Sequence, residues 1–375
     1  MSLDLHTQLE HCTYCPKMCR HACPVSNADG HEVHIPQAKM ATLNQIRLGH
    51  ERWTPETSSP IWACTGCGHC TTYCAHGVTP GTSLFTGREE AVRRGVIPPA
   101  LAMYPERFRA REERLAGVLR DLAGPRQKPR ARIALWPGCD AVDKGAGDVR
   151  ASLALLDRVL DEPVGVVDGP RVCGGYPLLA AGHADEFRWH ALRVAAELSR
   201  YGQVIMNCSA CVHALRALYP AEGVHLAAEI LHVSEVLAPH APKLAPTVAE
   251  PANDGPIYYH DPCYLARHER VMDAPRTVLG KVAEVRELAW SRGDTECCGG
   301  GGMLPKTMPD VADAMARRRL AEVADAGGGT VVTSCGTCKY MLARNAPEGV
   351  TVRDLAEVVE ERTRPSRPPA TTPDR

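Results

Sequence analysis

Five cysteines in the last third of the chain have the types and spacing for inorganic chemistry. Cys263 stands in His-Asp-Pro-Cys, Cys297 and Cys298 are adjacent and lead into Gly299 to Gly302, and Cys335 and Cys338 form Ser-Cys-Gly-Thr-Cys. Four thiolates complete a tetrahedral zinc site, so a fifth points to something larger than a single ion. Adjacent cysteines followed by four glycines make sense if both sulfurs face a bulky group and the backbone passes close beside it, since ordering four glycines costs backbone entropy. Cys297, Cys298 and His260 are the candidate catalytic residues of this site. His260 and Asp261 are placed to donate protons near Cys263, and a neutral imidazole that orients the loop is the alternative for His260.

Near the N-terminus, Cys12, Cys15, Cys19 and Cys23 follow C-x2-C-x3-C-x3-C-P, and Cys64, Cys67, Cys70 and Cys74 follow C-x2-C-x2-C-x3-C. The bacterial ferredoxin run is C-x2-C-x2-C-x3-C-P. The first run has one extra residue, and the second has Ala75 in place of the proline. Gly66 and Gly68 let the backbone curl so that N–H groups point at cluster sulfides. Such compact runs suit two [4Fe–4S] cubanes better than zinc knuckles, whose CxxC hairpins are usually far apart. In two-cluster ferredoxins the fourth cysteine of each run ligates the other cluster. That likeness groups Cys12, Cys15 and Cys19 with Cys74, and Cys64, Cys67 and Cys70 with Cys23; His69 tunes or covers its cluster.

Cys139, Cys173, Cys208 and Cys211 repeat the C-terminal pattern at an offset of about 125 residues, the mark of an internal duplication. Val172 occupies the place of Cys297, so the first copy has four thiols and holds a cluster or a zinc ion. The two N-terminal runs and the two copies use all 17 cysteines, with none left over. An odd count in dense CxxC groups reads as reduced metal ligands rather than a disulfide scaffold.

The elements that position these residues change character along the chain. Residues 1–11 read as a short polar helix, and residues 37–48 as a helix with Met40, Leu43, Ile46 and Leu48 near one face and Gly49 as its stop. Polar, arginine-rich helices follow, with Arg107, Arg109, Arg111 and Arg114 on a solvated or partner-facing surface, before a linker at Gly124 to Pro129. From Arg130 strands at 133–136, 164–167 and 203–207 alternate with helices at 148–160 and 185–199, Phe187 lying in the core. The scheme repeats with strands at 257–260, 282–288 and 330–333 and helices at 310–324 and 339–344. Alternating strands and helices imply a parallel sheet, whose functional residues gather at the carboxyl ends of the strands. The CxxC pairs open helices, where N–H groups favour thiolate.

The expected fold is α/β: a mostly helical two-cluster module at 1–100, a helical linker at 101–129, a first α/β domain at 130–238, a Pro/Ala-rich linker at 239–256, a second α/β domain at 257–361 and a disordered tail at 362–375. Net charge is −1 and aromatic content 5%, so neither electrostatics nor stacking surfaces argue for nucleic acid. The sequence has no secretory signal and no membrane span, which suggests a cytoplasmic protein, or one held on the inner face of the membrane through a partner.

Together the two cysteine runs and the C…CCG…CxxC copies resemble the CCG-domain (cysteine-rich domain) iron–sulfur family, which includes the catalytic subunit of heterodisulfide reductase and the iron–sulfur subunits of glycolate oxidase and related complexes. The resemblance implies electron transfer by a subunit of an oxidoreductase complex, between a flavoprotein dehydrogenase acting on a 2-hydroxy acid or similar substrate and quinone or another carrier, the latter through a membrane quinone-reactive subunit. It also implies that Cys263, Cys297, Cys298, Cys335 and Cys338 hold a non-cubane [4Fe–4S] cluster. Cys139, Cys173, Cys208 and Cys211 match only in part. An enzyme that cleaves a disulfide at the five-cysteine site is the alternative. No G-x-G-x-x-G fingerprint accompanies these motifs, which places hydride chemistry in a partner.

Overall fold

The computed structural model describes residues 3–246 and 255–364. Residues 3–123 are helical. Leu5–Thr13 starts at Asp4, whose carboxylate accepts from the Thr7 N–H, and Pro55–Trp62 starts at a Thr54/Thr57 capping box. Pro36–Arg47 buries Met40, Leu43 and Ile46, and ends before Gly49, which has the left-handed φ of 77°. Leu48 lies past the last turn and is exposed, not on the buried face.

Two parallel sheets follow. The first comprises β1 (Gln127–Lys128), β2 (Ala131–Trp136), β3 (Gly165–Val167), β4 (Tyr201–Met206) and β5 (Glu229–His232) in the order β1-β3-β2-β4-β5. The second comprises β6 (Ile257–His260), β7 (Val285–Glu287), β8 (Gly329–Thr333) and β9 (Val350–Asp354) in the order β7-β6-β8-β9. Apart from β1 the orders are identical, so the duplication seen in the cysteines is a duplication of topology. Central strands are apolar on both faces, as a sheet covered on both sides requires: Ile133 to Trp136 and Val204 to Met206 are all buried. The segment expected to be a linker at Gly124 to Pro129 instead contributes β1, which pairs with β3 at Gln127↔Val166.

The two sheets' domains are packed about a local pseudo-twofold axis. The Ala146–Val159 helix of the first packs on Leu355–Thr363 of the second, and Val233–Leu237 of the first packs on Asp273–Leu279 of the second. These are equivalent helices in exchanged roles. The arrangement turns the carboxyl ends of both sheets toward each other. Of the linker expected at 239–256, residues 238–243 form a 3-10 turn, and 247–254 lie outside the described residues. Of the tail expected from 362, Arg362 and Thr363 belong to the last helix, and 365–375 lie outside the described residues.

Candidate metal centre

The N-terminal cysteines fall into two groups by proximity. Cys12 and Cys19 each interact with Cys15 and Cys74, whereas Cys70 interacts most with Cys67, Cys64 and Cys23; weaker interactions of Cys19 with Cys23 and Cys70 join the two groups. Cys23, Cys64, Cys67 and Cys70 line one small cavity of about 20 Å³. The fourth cysteine of each run therefore sits with the other run's first three. Backbone donors face the sulfurs: Gly66 N–H to Cys64 Sγ at 3.4 Å and Val78 N–H to Cys74 Sγ at 3.3 Å. Lys39 is buried among the second group, and its Nζ donates to Cys23 Sγ at 3.4 Å. Burial opposes its charge, yet the sulfurs of Cys23, Cys64 and Cys70 carry its pKa above the ordinary lysine value.

All nine remaining cysteines line a single cavity of about 140 Å³ between the two α/β domains. Each arrives at the carboxyl end of a strand: Cys139 after β2, Cys173 after β3, Cys208 and Cys211 after β4, Cys263 after β6, Cys297 and Cys298 after β7, Cys335 and Cys338 after β8. Cys208 caps the Ser209–His213 helix and its Sγ accepts from the Cys211 N–H at 3.3 Å; Cys335 holds the same position before Gly336–Ala343. Within each set the sulfurs lie against one another. Contact with Cys297 and Cys338 pushes the Cys298 thiol down, and contact with Cys139 and Cys211 does the same to Cys173. Cys335, beside Cys338, falls to about 7.

These sulfurs fit an iron–sulfur group. Five buried sulfurs in one cavity would repel one another as thiolates, which a multiply charged cationic centre among them would offset. The second set exceeds the four ligands of zinc, whereas the first set of four matches either a cluster or zinc. The two sets are neighbours, since Cys335 lies close enough to Cys208 to repel its thiolate. The N-terminal module joins them too: Cys67 lies beside Cys297, and that contact, then burial, raises the Cys67 thiol.

The glycines explain this junction differently from the sequence reading. A Cβ on Gly302, at φ 59°, would sit 2.0 Å from the Cys64 carbonyl oxygen, and one on Gly301 would sit 2.6 Å from that of Thr65. The close neighbour of this stretch is the Cys64–Cys67 loop, in addition to anything the sulfurs hold. Arg88 locks the same place. Fully buried, it donates to the carbonyls of Ile61, Trp62 and Cys64, to Ala180 of the first α/β domain and to Gly302 of the second.

Other expected residues find fixed partners. Asp261 is buried and bound by both terminal nitrogens of Arg276 at 2.7 Å and by the Arg292 N–H, so its carboxylate is engaged away from the sulfurs. His260 is fully buried, its Nδ1 accepts from Arg319 Nε at 3.1 Å, and burial and then the Arg319 charge lower its pKa to about 3. It is neutral across the physiological range and suits orientation rather than the proton donation expected of it. His69, beside Tyr73 and Trp290, is likewise held neutral at about 4 by burial and then Arg267.

The helix Tyr104–Ala123, read as a linker, is part of the first site. Arg111 lies beside Cys139 and reaches Asp140 at 2.9 Å, while the buried Glu112 accepts from the Val172 N–H at 3.2 Å. Of the arginines expected on a free surface, Arg111 thus lines the cavity and Arg114 pairs with Asp143 at 2.8 Å. On the opposite wall Tyr176 and Tyr264, one from each domain, share a 2.5 Å hydrogen bond between their hydroxyls, and the Tyr176 hydroxyl also donates to the Thr65 carbonyl at 3.2 Å. Both rings also line a second cavity of about 460 Å³, which runs past Gly66, Gly68, Phe85, His213 and His268. Tyr176 stands three residues after Cys173 and Tyr264 directly after Cys263, but no local pattern signals their meeting across the domain interface.

Residues 8–78 match the 4Fe-4S dicluster domain, and residues 257–343 match the cysteine-rich domain of the CCG type. The chain thus carries a match to a 4Fe-4S dicluster domain at its N-terminal end and to a cysteine-rich domain in its last third. Its homologues are subunits of heterodisulfide reductases and related iron–sulfur proteins. It is 27% identical over 394 residues to one subunit of the dihydromethanophenazine:CoB–CoM heterodisulfide reductase of Methanosarcina barkeri, covering 94% of both chains. It is 27% identical over 320 residues to one subunit of the fumarate reductase (CoM/CoB) of Methanothermobacter marburgensis, covering 83% of this chain and 63% of that one. It is 24% identical over 334 residues to the EtfAB:quinone oxidoreductase of Syntrophomonas wolfei, covering 80% of this chain and 46% of that one. No helix among the described residues is long and apolar enough to cross a membrane.

Proposed function

We propose that the chain is the electron-relay subunit of an oxidoreductase complex, taking electrons from a flavoprotein dehydrogenase and carrying them from the N-terminal sulfurs to the cavity between the α/β domains, and on to quinone or another carrier. Clusters bound at these sulfurs supply one-electron carriers: two [4Fe–4S] cubanes at the N-terminal groups and a further cluster at Cys263, Cys297, Cys298, Cys335 and Cys338. The observation that carries this reading is the closeness of Cys67 to Cys297, which brings the second N-terminal group against the cavity. Arg88 and Gly302 hold that contact, and the N–H groups of Gly66 and Val78 donate to the Cys64 and Cys74 sulfurs. Rapid mixing of anaerobic protein with a limiting low-potential reductant tests it. Signals assigned to the N-terminal groups should appear first and pass to the cavity signal; simultaneous or reversed appearance would contradict the order.

A second reading is favoured by the shared cavity. With both cysteine sets, Arg111 and the two tyrosines facing one space, the cavity suits a sulfur substrate whose S–S bond takes two electrons and two protons to give two thiols. Turnover of a disulfide by the isolated chain with dithionite-reduced dye would support it, and the absence of turnover in protein with a full iron complement would leave the relay reading alone.

A further inference from the structure

The two copies differ at one more position than the missing cysteine. His260 lies three residues before Cys263, and Trp136 lies three residues before Cys139, each at the end of the central strand. Trp136 spends its indole N–H on the Arg171 carbonyl at 2.9 Å. His260 spends only Nδ1, as the acceptor from Arg319 Nε. Its Nε2 is buried with no hydrogen-bond partner. A ring nitrogen of His260 and the sulfurs of Cys298 and Cys338 all lie within 4.8 Å of one another.

Arg319 decides which way the imidazole faces chemically. Guanidinium can only donate, so Nδ1 must carry the lone pair and a neutral ring must carry its proton on Nε2. Arg319 is itself fixed, buried and donating to the Trp290 carbonyl at 2.5 Å and to Glu322 at 3.3 Å. A buried N–H without an acceptor is costly, and thiolate sulfur is the acceptor within reach.

We propose that His260 is a positioning residue whose Nε2–H donates to the Cys298 and Cys338 sulfurs when they bind their group, offsetting the charge of the fifth thiolate and raising the reduction potential of the second site alone. The Arg319 charge adds to the same effect. The first site has no donor at this position, Trp136 being turned to the backbone; its own charged neighbour is Arg111, beside Cys139. His260 thus tunes the second site by a means the first does not share. This rests on the reading that the five sulfurs hold an iron–sulfur group.

The test uses full-length protein purified anaerobically, with 15N-labelled histidine. Hyperfine spectroscopy of the reduced cavity signal should show a weak 15N coupling and an exchangeable proton that disappears in D2O. His260→Leu should make the reduced-to-oxidised ratio of that signal at a fixed potential fall about tenfold, equivalent to about 59 mV for one electron. His260→Gln, which keeps an N–H near the ε position, should restore most of it, and the N-terminal signals should not move. A coupling strong enough for direct nitrogen ligation would overturn the proposal. So would an unchanged potential in His260→Leu, or the absence of the exchangeable proton in the native protein should that variant not fold. Iron missing from the five-cysteine site would instead defeat the underlying reading, which the iron content reports separately.

Discussion

Replacing Arg88 by methionine would take away a buried side chain that bonds all three parts of the molecule. Its guanidinium meets five carbonyl oxygens at 2.7 to 3.2 Å, two of them across domain boundaries at Ala180 and Gly302. It also stacks near Phe85 and Trp62, at 4.6 and 5.2 Å from the ring centroids. Each buried bond of this kind is worth about 1 kcal/mol net, so five lost acceptors amount to about 5 kcal/mol. Relief from burying an uncompensated guanidinium returns part of that, which leaves an expected loss of about 3 kcal/mol. Arg88→Lys keeps the charge but cannot fan out to carbonyls on opposite sides, and should fall between the two. Anaerobic urea unfolding, followed by cluster absorbance and tryptophan fluorescence, reads the loss. Because the Gly302 and Cys64 carbonyls are released together, electron passage from the N-terminal groups to the cavity should slow in the same variant. An Arg88→Met protein that unfolds at the parent's urea midpoint and transfers electrons at the parent's rate would refute the assignment of Arg88 as the clasp.

Lys39→Met should lower the reduction potential of the Cys23, Cys64, Cys67 and Cys70 group, because a buried positive charge beside Cys23 Sγ favours the reduced state; a redox titration in which only the other signals shift would count against it. Cys298→Ser should erase the signal of the second cavity site and leave the N-terminal signals, whereas loss of every signal together would contradict separate sites. His232 and His268 are held at about 4, chiefly by burial, below the unfolded value of 6.5. The unfolded chain therefore binds more protons between these values, so stability is full above about pH 6.5 and falls as pH drops toward 4, by about 1.4 kcal/mol per pH unit for each histidine. Urea midpoints that stay flat from pH 7 to 5 would contradict that burial.

Much of the architecture was legible because two signals reinforced each other. The cysteine spacing marked the duplication, and apolar runs such as Ile133 to Trp136 and Thr330 to Thr333 marked the central strands. Edge strands β5 and β9 escaped notice because Glu229-Ile-Leu-His and Val350-Thr-Val-Arg-Asp mix polar and apolar residues as half-exposed edges do. The facing of the two cysteine sets could not be read, since it depends on helix packing about the pseudo-twofold axis rather than on any local pattern. Arg88 and Arg319 carry no local sequence signal; only the close packing of carbonyls or imidazole around them gives them their tasks. Glu112 and Arg111 belonged to a segment read as a linker for the same reason.

Iron and acid-labile sulfide, counted per chain after strictly anaerobic purification and paired with EPR of the reduced protein, bear most directly on the claim that the cysteines are cluster ligands. About eight irons for the two N-terminal cubanes, further iron for the cavity and a separate cavity signal are expected. A colourless, iron-free protein that remains folded and active would contradict it.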